Sequence, residues 1–105
     1  MADSFFRKVY EAVALIPYGK VVSYGDIANM IGYPRHARFV GFAMRVCQEE
    51  LPWHRVVKAD GSIAGGDFAP VREMLLRKEG VPFLPDGRVD MRQCRAPLFP
   101  CGGKS

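Results

Sequence analysis

The chain has 105 residues, of which 49% are hydrophobic and 25% charged, values typical of one soluble globular domain with a modest core. No apolar run approaches the roughly 18 residues of a membrane-spanning helix, and the N-terminus lacks the pattern of a signal peptide. We therefore expect a cytoplasmic protein without a membrane partner, and we also expect a monomer. Its net charge of +4 permits a polyanionic partner but does not require one.

The cysteines argue against both a disulfide framework and a metal site. The chain looks cytosolic and has an odd number of cysteines, namely Cys47, Cys94 and Cys101. No pair has the Cys-x-x-Cys spacing, and neither His36 nor His54 has ligand spacing with a cysteine. The sequence therefore predicts no metal and no cofactor.

The first predicted element is a helix over Ser4–Ile16, capped by Asp3 or Ser4 and ended by Pro17-Tyr18-Gly19. Its apolar residues recur at intervals of three and four, the spacing of one helical face. These residues are Phe5, Phe6, Val9, Ala12, Val13 and Ile16. We expect this face to belong to the core and to carry no chemistry.

Two short helices are predicted after an extended segment at Lys20-Val21-Val22. Ser23-Tyr24-Gly25-Asp26 has the spacing of a capping box, with Asp in place of Glu, and Gly32 can end the helix that follows. The second helix is predicted over Ala37–Cys47. A pair joined by a glycine-containing turn is typical of a helix-turn-helix.

The second helix of this pair carries its arginines away from its apolar stripe. The predicted stripe is Ala37, Val40, Gly41 and Met44. Arg38 and Arg45 are seven residues apart and share the opposite side, as in a DNA recognition helix, although a merely solvated face is the alternative. Glycine weakens a helix interior by about 1 kcal/mol relative to Ala, so Gly41 is reasonably explained by another group that closely approaches the helix backbone there.

A hairpin is predicted next, because Asp60-Gly61 separates the apolar pieces Val56-Val57 and Ser62-Ile63-Ala64. A hairpin after a helix-turn-helix is a wing. The predicted fold is therefore mainly α, a winged helix-turn-helix DNA-binding domain with a small β-hairpin wing, in a single domain over residues 1–105.

The last predicted helix begins with Asp67 as its cap and ends at Gly80 and Pro82. Its predicted inward residues are Phe68, Val71, Met74, Leu75 and Lys78. Glu79 lies at the end of the helix, where the dipole disfavours an anion, which predicts a specific partner with His54 as the candidate.

Residues 81–105 are expected to form a Pro-rich C-terminal extension of the same domain. Pro85-Asp86-Gly87 predicts a turn there, and Arg88-Val89-Asp90-Met91 predicts one short strand.

Pro52-Trp53-His54-Arg55-Val56-Val57 joins a turn residue, the single Trp and a β-branched run. By itself this segment is equally consistent with a core Trp beneath a loop. It resembles the Pro-Cys-His-Arg-Val active-site motif of the O6-alkylguanine-DNA alkyltransferases, with the Trp of the alkyltransferase-like proteins in place of the reactive Cys. Ile16–Tyr24 and Ala37–Met44 resemble the family's lead into the helix-turn-helix and its recognition helix. The three matches, in the family's order, lie within a resemblance over about residues 5–80.

The resemblance implies lesion-binding roles. Tyr24 matches the Tyr that crowds the target phosphate, and Arg38 matches the finger that enters the base stack. Trp53 is implied to line the lesion pocket, the Val56 carbonyl to contact the flipped guanine, and Ala64 to lie near an amide that faces the O6 atom.

Supporting roles come partly from the resemblance and partly from the charges of the side chains. His54 and Glu79 match the pair that activates the thiol in true transferases, and Arg55 adds a fixed cation beside them. Phosphate contacts are expected from Lys20, Arg35 and Arg45. The short loop before Gly65-Gly66 implies a roomier pocket, and Cys47-Gln48 stand where the transferases have a bracing Asn.

An indole lacks the nucleophilic lone pair of a thiolate, so transfer by the family's route should be absent. The resemblance therefore implies a sensor that is not an enzyme, that flips O6-alkylguanine out of double-stranded DNA and that hands the lesion over to nucleotide-excision-repair proteins. Such a protein would be nucleoid-associated if bacterial. One alternative is a winged-helix transcription regulator that reads a major groove. Another is an enzyme with a His54–Glu79 dyad or a Cys47 nucleophile.

Overall fold

The computed structural model describes residues 2–46, 50–63 and 68–96. Most of their regular structure is helical, which confirms the predicted class. The elements in chain order are α1 (Ala2–Ala14), β1 (Val22–Ser23), α2 (Tyr24–Met30), α3 (Ala37–Val46), a 3₁₀ turn (Trp53–Arg55), β2 (Val56–Val57), α4 (Ala69–Lys78) and α5 (Met91–Cys94). None of the described helices has the length and apolar character needed to cross a membrane.

α1 buries the face that the sequence predicts, with Val9 and Val13 fully enclosed. The helix begins at Ala2, so Asp3 and Ser4 lie inside it rather than at its cap. It ends at Ala14, and Ile16 N–H then donates to Val13 O at 3.1 Å. This tightened last turn keeps Ile16 in the core beyond the end of the helix.

The helix-turn-helix is formed by α2 and α3. Ser23 Oγ accepts from Asp26 N–H and Asp26 Oδ2 accepts from Ser23 N–H, each at 3.0 Å, so the predicted capping box is complete. Gly32 follows α2 with φ +89°, the left-handed conformation expected of it.

α3 ends at Val46, and Cys47 lies outside the described residues. Its buried residues are Val40, Ala43 and Met44. Ala43 is therefore a core residue that the predicted stripe omitted, and Gly41 lies at the edge of the buried face.

The small sheet pairs β1 with β2 in parallel, with Val22 opposite Val56. The predicted turn forms, since Lys58 N–H donates to Ser62 O at 2.9 Å and Gly61 has φ +91°. The strand partner differs from the prediction, because Ser62 is not a strand residue and β2 pairs with β1 instead. Both residues of β2 are buried, which suits a strand covered on both faces better than an exposed wing.

α4 is rotated relative to the prediction. Phe68, Val71 and Met74, predicted to face inward, are 68%, 49% and 59% exposed, whereas Leu76 is fully buried. Of the other predicted inward residues, Leu75 is half-buried and Lys78 exposed, and the predicted cap Asp67 lies outside the described residues. We attribute this rotation to Glu79, which directly follows α4 and is held by the tertiary contacts described below.

The C-terminal segment completes a second core cluster. Val81, Val89 and Cys94 pack there with Val21, Val57 and Leu76. Val21 N–H donates to Cys94 O and Ala96 N–H donates to Val21 O, both at 2.9 Å, so the segment runs alongside the start of β1.

The predicted turn at Pro85-Asp86-Gly87 forms, with Gly87 N–H donating to Leu84 O at 3.0 Å. The predicted strand over Arg88–Met91 is wrong except at Val89, which forms a single antiparallel β-bridge with Phe83. Asp90 instead caps α5, because its side chain accepts from Arg92 N–H.

Candidate functional site

Trp53 opens the 3₁₀ turn directly after Pro52, whose φ of −77° and ψ of 61° bend the chain. The indole is half-buried rather than sealed in the core, and it meets the Tyr10 ring edge-on with centroids 6.1 Å apart. Its Nε1–H is buried and has no hydrogen-bond partner among the described residues. A buried donor left unpaired costs about 1–3 kcal/mol, so this N–H favours an acceptor that reaches the ring.

His54 and Arg55 share one carboxylate. His54 Nε2 lies 2.6 Å from Glu79 Oε2, the contact that the position of Glu79 predicted. Arg55 Nη2 donates to Glu79 Oε2 at 2.9 Å, and Gly19 N–H donates to Oε1 at 2.8 Å. Arg55 Nη1 also donates to Ile16 O at 2.8 Å, so the network ties the end of α4 to the 3₁₀ turn and the α1–β1 connection.

The same contacts fix the ionisation of Glu79. Burial raises its pKa, but hydrogen bonds from Arg55, His54 and Gly19 outweigh burial and lower the pKa to about 2. A general base must take up a proton near the working pH. A carboxylate shared among these donors is suited instead to holding the surrounding elements together.

Arg38 and Arg45 lie on the exposed side of α3, as the sequence predicts. Neither forms an ion pair with an acid in the described part of the chain. Arg38 borders a depression of about 350 Å³ that Tyr24, Ala37 and Gly41 also line.

A second, larger groove of about 590 Å³ lies on the other flank of Arg38. Its lining is largely aromatic and consists of Phe5, Phe6, Tyr33, His36, Arg38, Phe39, Phe42 and Arg45. Arg38 therefore borders both the groove and the smaller depression, whereas Arg45 borders the groove alone.

Packing against the described residues does not require a glycine at position 41. A Cβ at this position would lie 4.0 Å from Tyr24 Cε1, an ordinary van der Waals distance. A glycine here therefore keeps the smaller depression open, because a side chain at position 41 would extend into it.

Tyr24 is half-buried, and its hydroxyl donates to Met44 Sδ at 3.3 Å. Burial raises the pKa of Tyr24, and the nearby charge of Arg72 opposes that rise. Arg72 Nη1 lies 3.6 Å from the same sulfur. Sequence reasoning missed Arg72, because its place beside Tyr24 depends on the rotation of α4.

The other predicted site residues are dispersed. Lys20 lies near Cys94, where its charge acts on the thiol, and Arg35 is exposed in the turn before α3. The Val56 side chain is buried, so only its main chain is available to a ligand. Ala64 lies outside the described residues.

Cys94 is the cysteine that the described residues include, and it is 1% exposed. Burial and the charge of Asp90 raise its pKa to about 11, against the smaller effect of Lys20. It is therefore a protonated core residue and not a nucleophile. The described ranges also hold no group of three or more His, Cys, Asp or Glu side chains arranged to bind a metal ion.

The family model for the DNA-binding domain of 6-O-methylguanine DNA methyltransferase matches residues 4–81. The chain belongs to the O6-alkylguanine-DNA alkyltransferase family. Within this family it is an alkyltransferase-like member, because Trp53 stands where the motif has its cysteine.

Similar proteins agree with this placement. Alkyltransferase-like protein 1 of Schizosaccharomyces pombe is 45% identical over 84 residues, covering 75% of this chain and 78% of that protein. The DNA base-flipping protein of Escherichia coli is 43% identical over 97 residues, covering 89% of this chain and 74% of that protein.

A solved structure matches as well. It is the S. pombe alkyltransferase-like protein in complex with damaged DNA containing O6-carboxymethylguanine, with a TM-score of 0.77 and 37% identity. The match covers 89% of this alkyltransferase-like chain and 94% of that one.

Proposed function

We propose that this chain is a non-enzymatic sensor of O6-alkylguanine in double-stranded DNA, which flips the damaged base into a pocket lined by Trp53. The observation that carries the proposal is Trp53 itself, an indole at the cysteine position of the family motif whose N–H has no partner among the described residues. An indole offers a stacking surface and a donor, but no nucleophile for an alkyl group. The names of the S. pombe and E. coli relatives, which refer to alkyltransferase-like and base-flipping proteins, support the same function.

The exposed side of α3 supplies the DNA contacts. Arg38 enters the base stack, where a guanidinium can both stack and donate hydrogen bonds to neighbouring bases. Flipping a base costs a few kcal/mol, and damage that weakens pairing lowers this cost. Arg35 and Arg45 add phosphate contacts that do not depend on sequence but weaken with salt.

The remaining assignments concern the flipped nucleotide. Tyr24 crowds the target phosphate from the smaller depression, where Gly41 leaves room for the DNA backbone. The main chain of Val56 and of the loop that contains Ala64 provides the hydrogen bonds to guanine. Trp53 stacks against the alkylated base, a contact worth about 1–3 kcal/mol.

The output of the sensor is the bound complex itself, formed by a monomer and passed to nucleotide-excision-repair proteins. Two features support the absence of alkyl transfer. Cys94 is buried with a pKa of about 11, and Glu79 is committed to Arg55, His54 and Gly19.

An equilibrium titration at fixed salt tests this function, using one duplex with a single O6-methylguanine and its unmodified counterpart. We expect tighter binding to the lesion duplex and an unchanged protein mass in subsequent intact-protein mass spectrometry. Equal affinity for the two duplexes overturns the sensor, and a methyl group on any cysteine overturns the absence of transfer. Preference for one duplex sequence regardless of damage identifies a transcription regulator instead.

A further inference from the structure

Two hydrogen-bond donors from different helices converge on one thioether. The Tyr24 hydroxyl on α2 lies 3.3 Å from Met44 Sδ on α3, and Arg72 Nη1 on α4 lies 3.6 Å from the same sulfur. A methionine sulfur is only a weak acceptor, so neither donor finds a strong partner there.

Unlike Arg55 and Arg77, Arg72 has no carboxylate partner among the described residues. Arg77, on the same helix, is paired with Glu73 at 2.9 Å, and Arg55 is paired with Glu79 at the same distance. Within the described ranges, the Arg72 guanidinium is paired with neither an acid nor a main-chain oxygen. It is nevertheless half-buried, and burial lowers its pKa.

A half-buried cation has lost hydration, and no acid or main-chain oxygen among the described residues replaces it for Arg72. An anion that reached the guanidinium would remove this cost through a charge-assisted hydrogen bond. Phosphate suits it best among the partners of DNA, because a guanidinium can bind two phosphate oxygens at once.

The position of Tyr24 indicates which phosphate the two donors would meet. Tyr24 lines the smaller depression together with Ala37, Arg38 and Gly41, and its lining among the described residues includes no acidic side chain. If Arg38 occupies the space that a flipped base leaves, then the backbone of the flipped nucleotide passes close to Tyr24.

We propose that Tyr24 and Arg72 form an oxyanion subsite that takes one phosphate of the DNA strand carrying the flipped nucleotide. Met44 Sδ holds the two donors in place in the free protein and gives them up when DNA binds. The subsite rests on the proposed function and adds Arg72 to it as a DNA-binding residue. Because α4 also carries the end that Glu79 anchors, the contact connects the bound strand to the turn that holds Trp53.

The first test compares wild-type protein with Arg72→Gln on the O6-methylguanine duplex over a series of salt concentrations. Loss of one phosphate contact should reduce the slope of log affinity against log salt by about 0.9 and weaken binding about tenfold at low salt. Arg77→Gln is the matched control, since Arg77 lies on the same helix but is already paired with Glu73. It should change neither quantity.

The second test locates the phosphate. Each phosphate next to the lesion is replaced in turn by a neutral methylphosphonate. At the position that the subsite contacts, the methylphosphonate should weaken binding by wild-type protein but should not weaken binding by Arg72→Gln. At every other position, the methylphosphonate should change the affinities of the two proteins equally. Thermal unfolding of Arg72→Gln should match wild type, because no strong contact within the described fold is lost.

The outcomes separate the subsite from the function on which it rests. Equal affinity of wild-type protein for damaged and undamaged duplex overturns the sensor. A clear lesion preference with an unchanged salt slope in Arg72→Gln overturns the subsite alone, and so does an equal response of both proteins at every methylphosphonate position.

Discussion

Charged residues in two regions of the molecule behave in opposite ways. In the first region, which we call the structural side, the Trp53–Arg55 turn meets the end of α4, where the Glu79 side chain is 8% exposed and accepts hydrogen bonds from several donors, Arg55 among them. In the second region, which we assign to binding, neither Arg38 on α3 nor Arg72 in the middle of α4 is paired with a carboxylate in the described part of the chain. A cation paired within the fold stabilises the fold, whereas an unpaired cation is available to a polyanion.

This difference fits the proposed function, in which a transferase-like site serves binding alone. His54 and Glu79, which match the pair implied to activate the thiol in true transferases, lie in contact. In the proposed sensor Trp53 replaces the thiol, so this pair has nothing to activate. Their remaining effect is to fix the turn that presents the indole.

The largest expected effect comes from removing the Glu79 carboxylate, because this residue holds the structural side together. Glu79→Gln leaves the Arg55 guanidinium without its counter-ion and should destabilise the protein by about 3 kcal/mol in urea unfolding. The folded fraction, measured at low temperature, should keep its preference for the lesion duplex. Unchanged stability with lost preference would assign Glu79 to the binding side.

The pH dependence of stability also tests the structural role of Glu79. The pKa of Glu79 falls from its ordinary 4.5 to about 2 on folding, so its contribution is fully present above pH 4.5 and is lost as pH falls towards 2. The difference corresponds to a free energy of unfolding on the order of 3 kcal/mol. Wild-type protein should lose more stability than Glu79→Gln between pH 5 and about 2. Parallel curves for the two proteins would contradict the assignment.

Arg38→Ala addresses the binding side. It should weaken binding to the lesion duplex by roughly tenfold to a hundredfold, about 1.4–2.8 kcal/mol, because the vacated base position loses its filler. Its unfolding midpoint should equal that of wild-type protein, since Arg38 has no partner within the described fold. Arg88→Ala is the surface control, because Arg88 is paired with Asp86 and lies on the C-terminal segment.

The smallest expected effect concerns Arg95, which extends the structural side to the C-terminal segment. Arg95 Nε donates to Asp26 Oδ2 at 2.9 Å, and Asp26 is buried as part of the capping box of α2. Arg95→Met should therefore destabilise the protein by about 1–2 kcal/mol. Thermal unfolding measures this loss, and Arg92→Met, also near the chain end but exposed, should leave it unchanged.

Local signals made much of this architecture predictable. The spacing of Ser23 and Asp26 predicted the capping box, and the unfavourable place of Glu79 on its helix predicted the contact with His54. The rotation of α4 was not predictable, because contacts between distant segments set it. For the same reason the sequence did not reveal Arg72, or the pairing of Arg95 with Asp26.

The strand pairing had a different cause. β1 and β2 have two residues each, too few for any periodicity to distinguish a hairpin arm from an inner strand. The turn at Asp60-Gly61 was correctly read, but a turn alone does not fix which strand lies alongside β2.

The most direct test of the account uses the emission of Trp53, the single tryptophan of the chain. Protein is titrated with the O6-methylguanine duplex and with the unmodified duplex, while anisotropy of labelled DNA reports binding in the same samples. The account predicts a change in Trp53 emission that saturates together with binding of the lesion duplex and is much smaller for bound unmodified duplex. Emission that stays constant while anisotropy shows the lesion duplex fully bound would place the damaged base away from the indole and contradict the account.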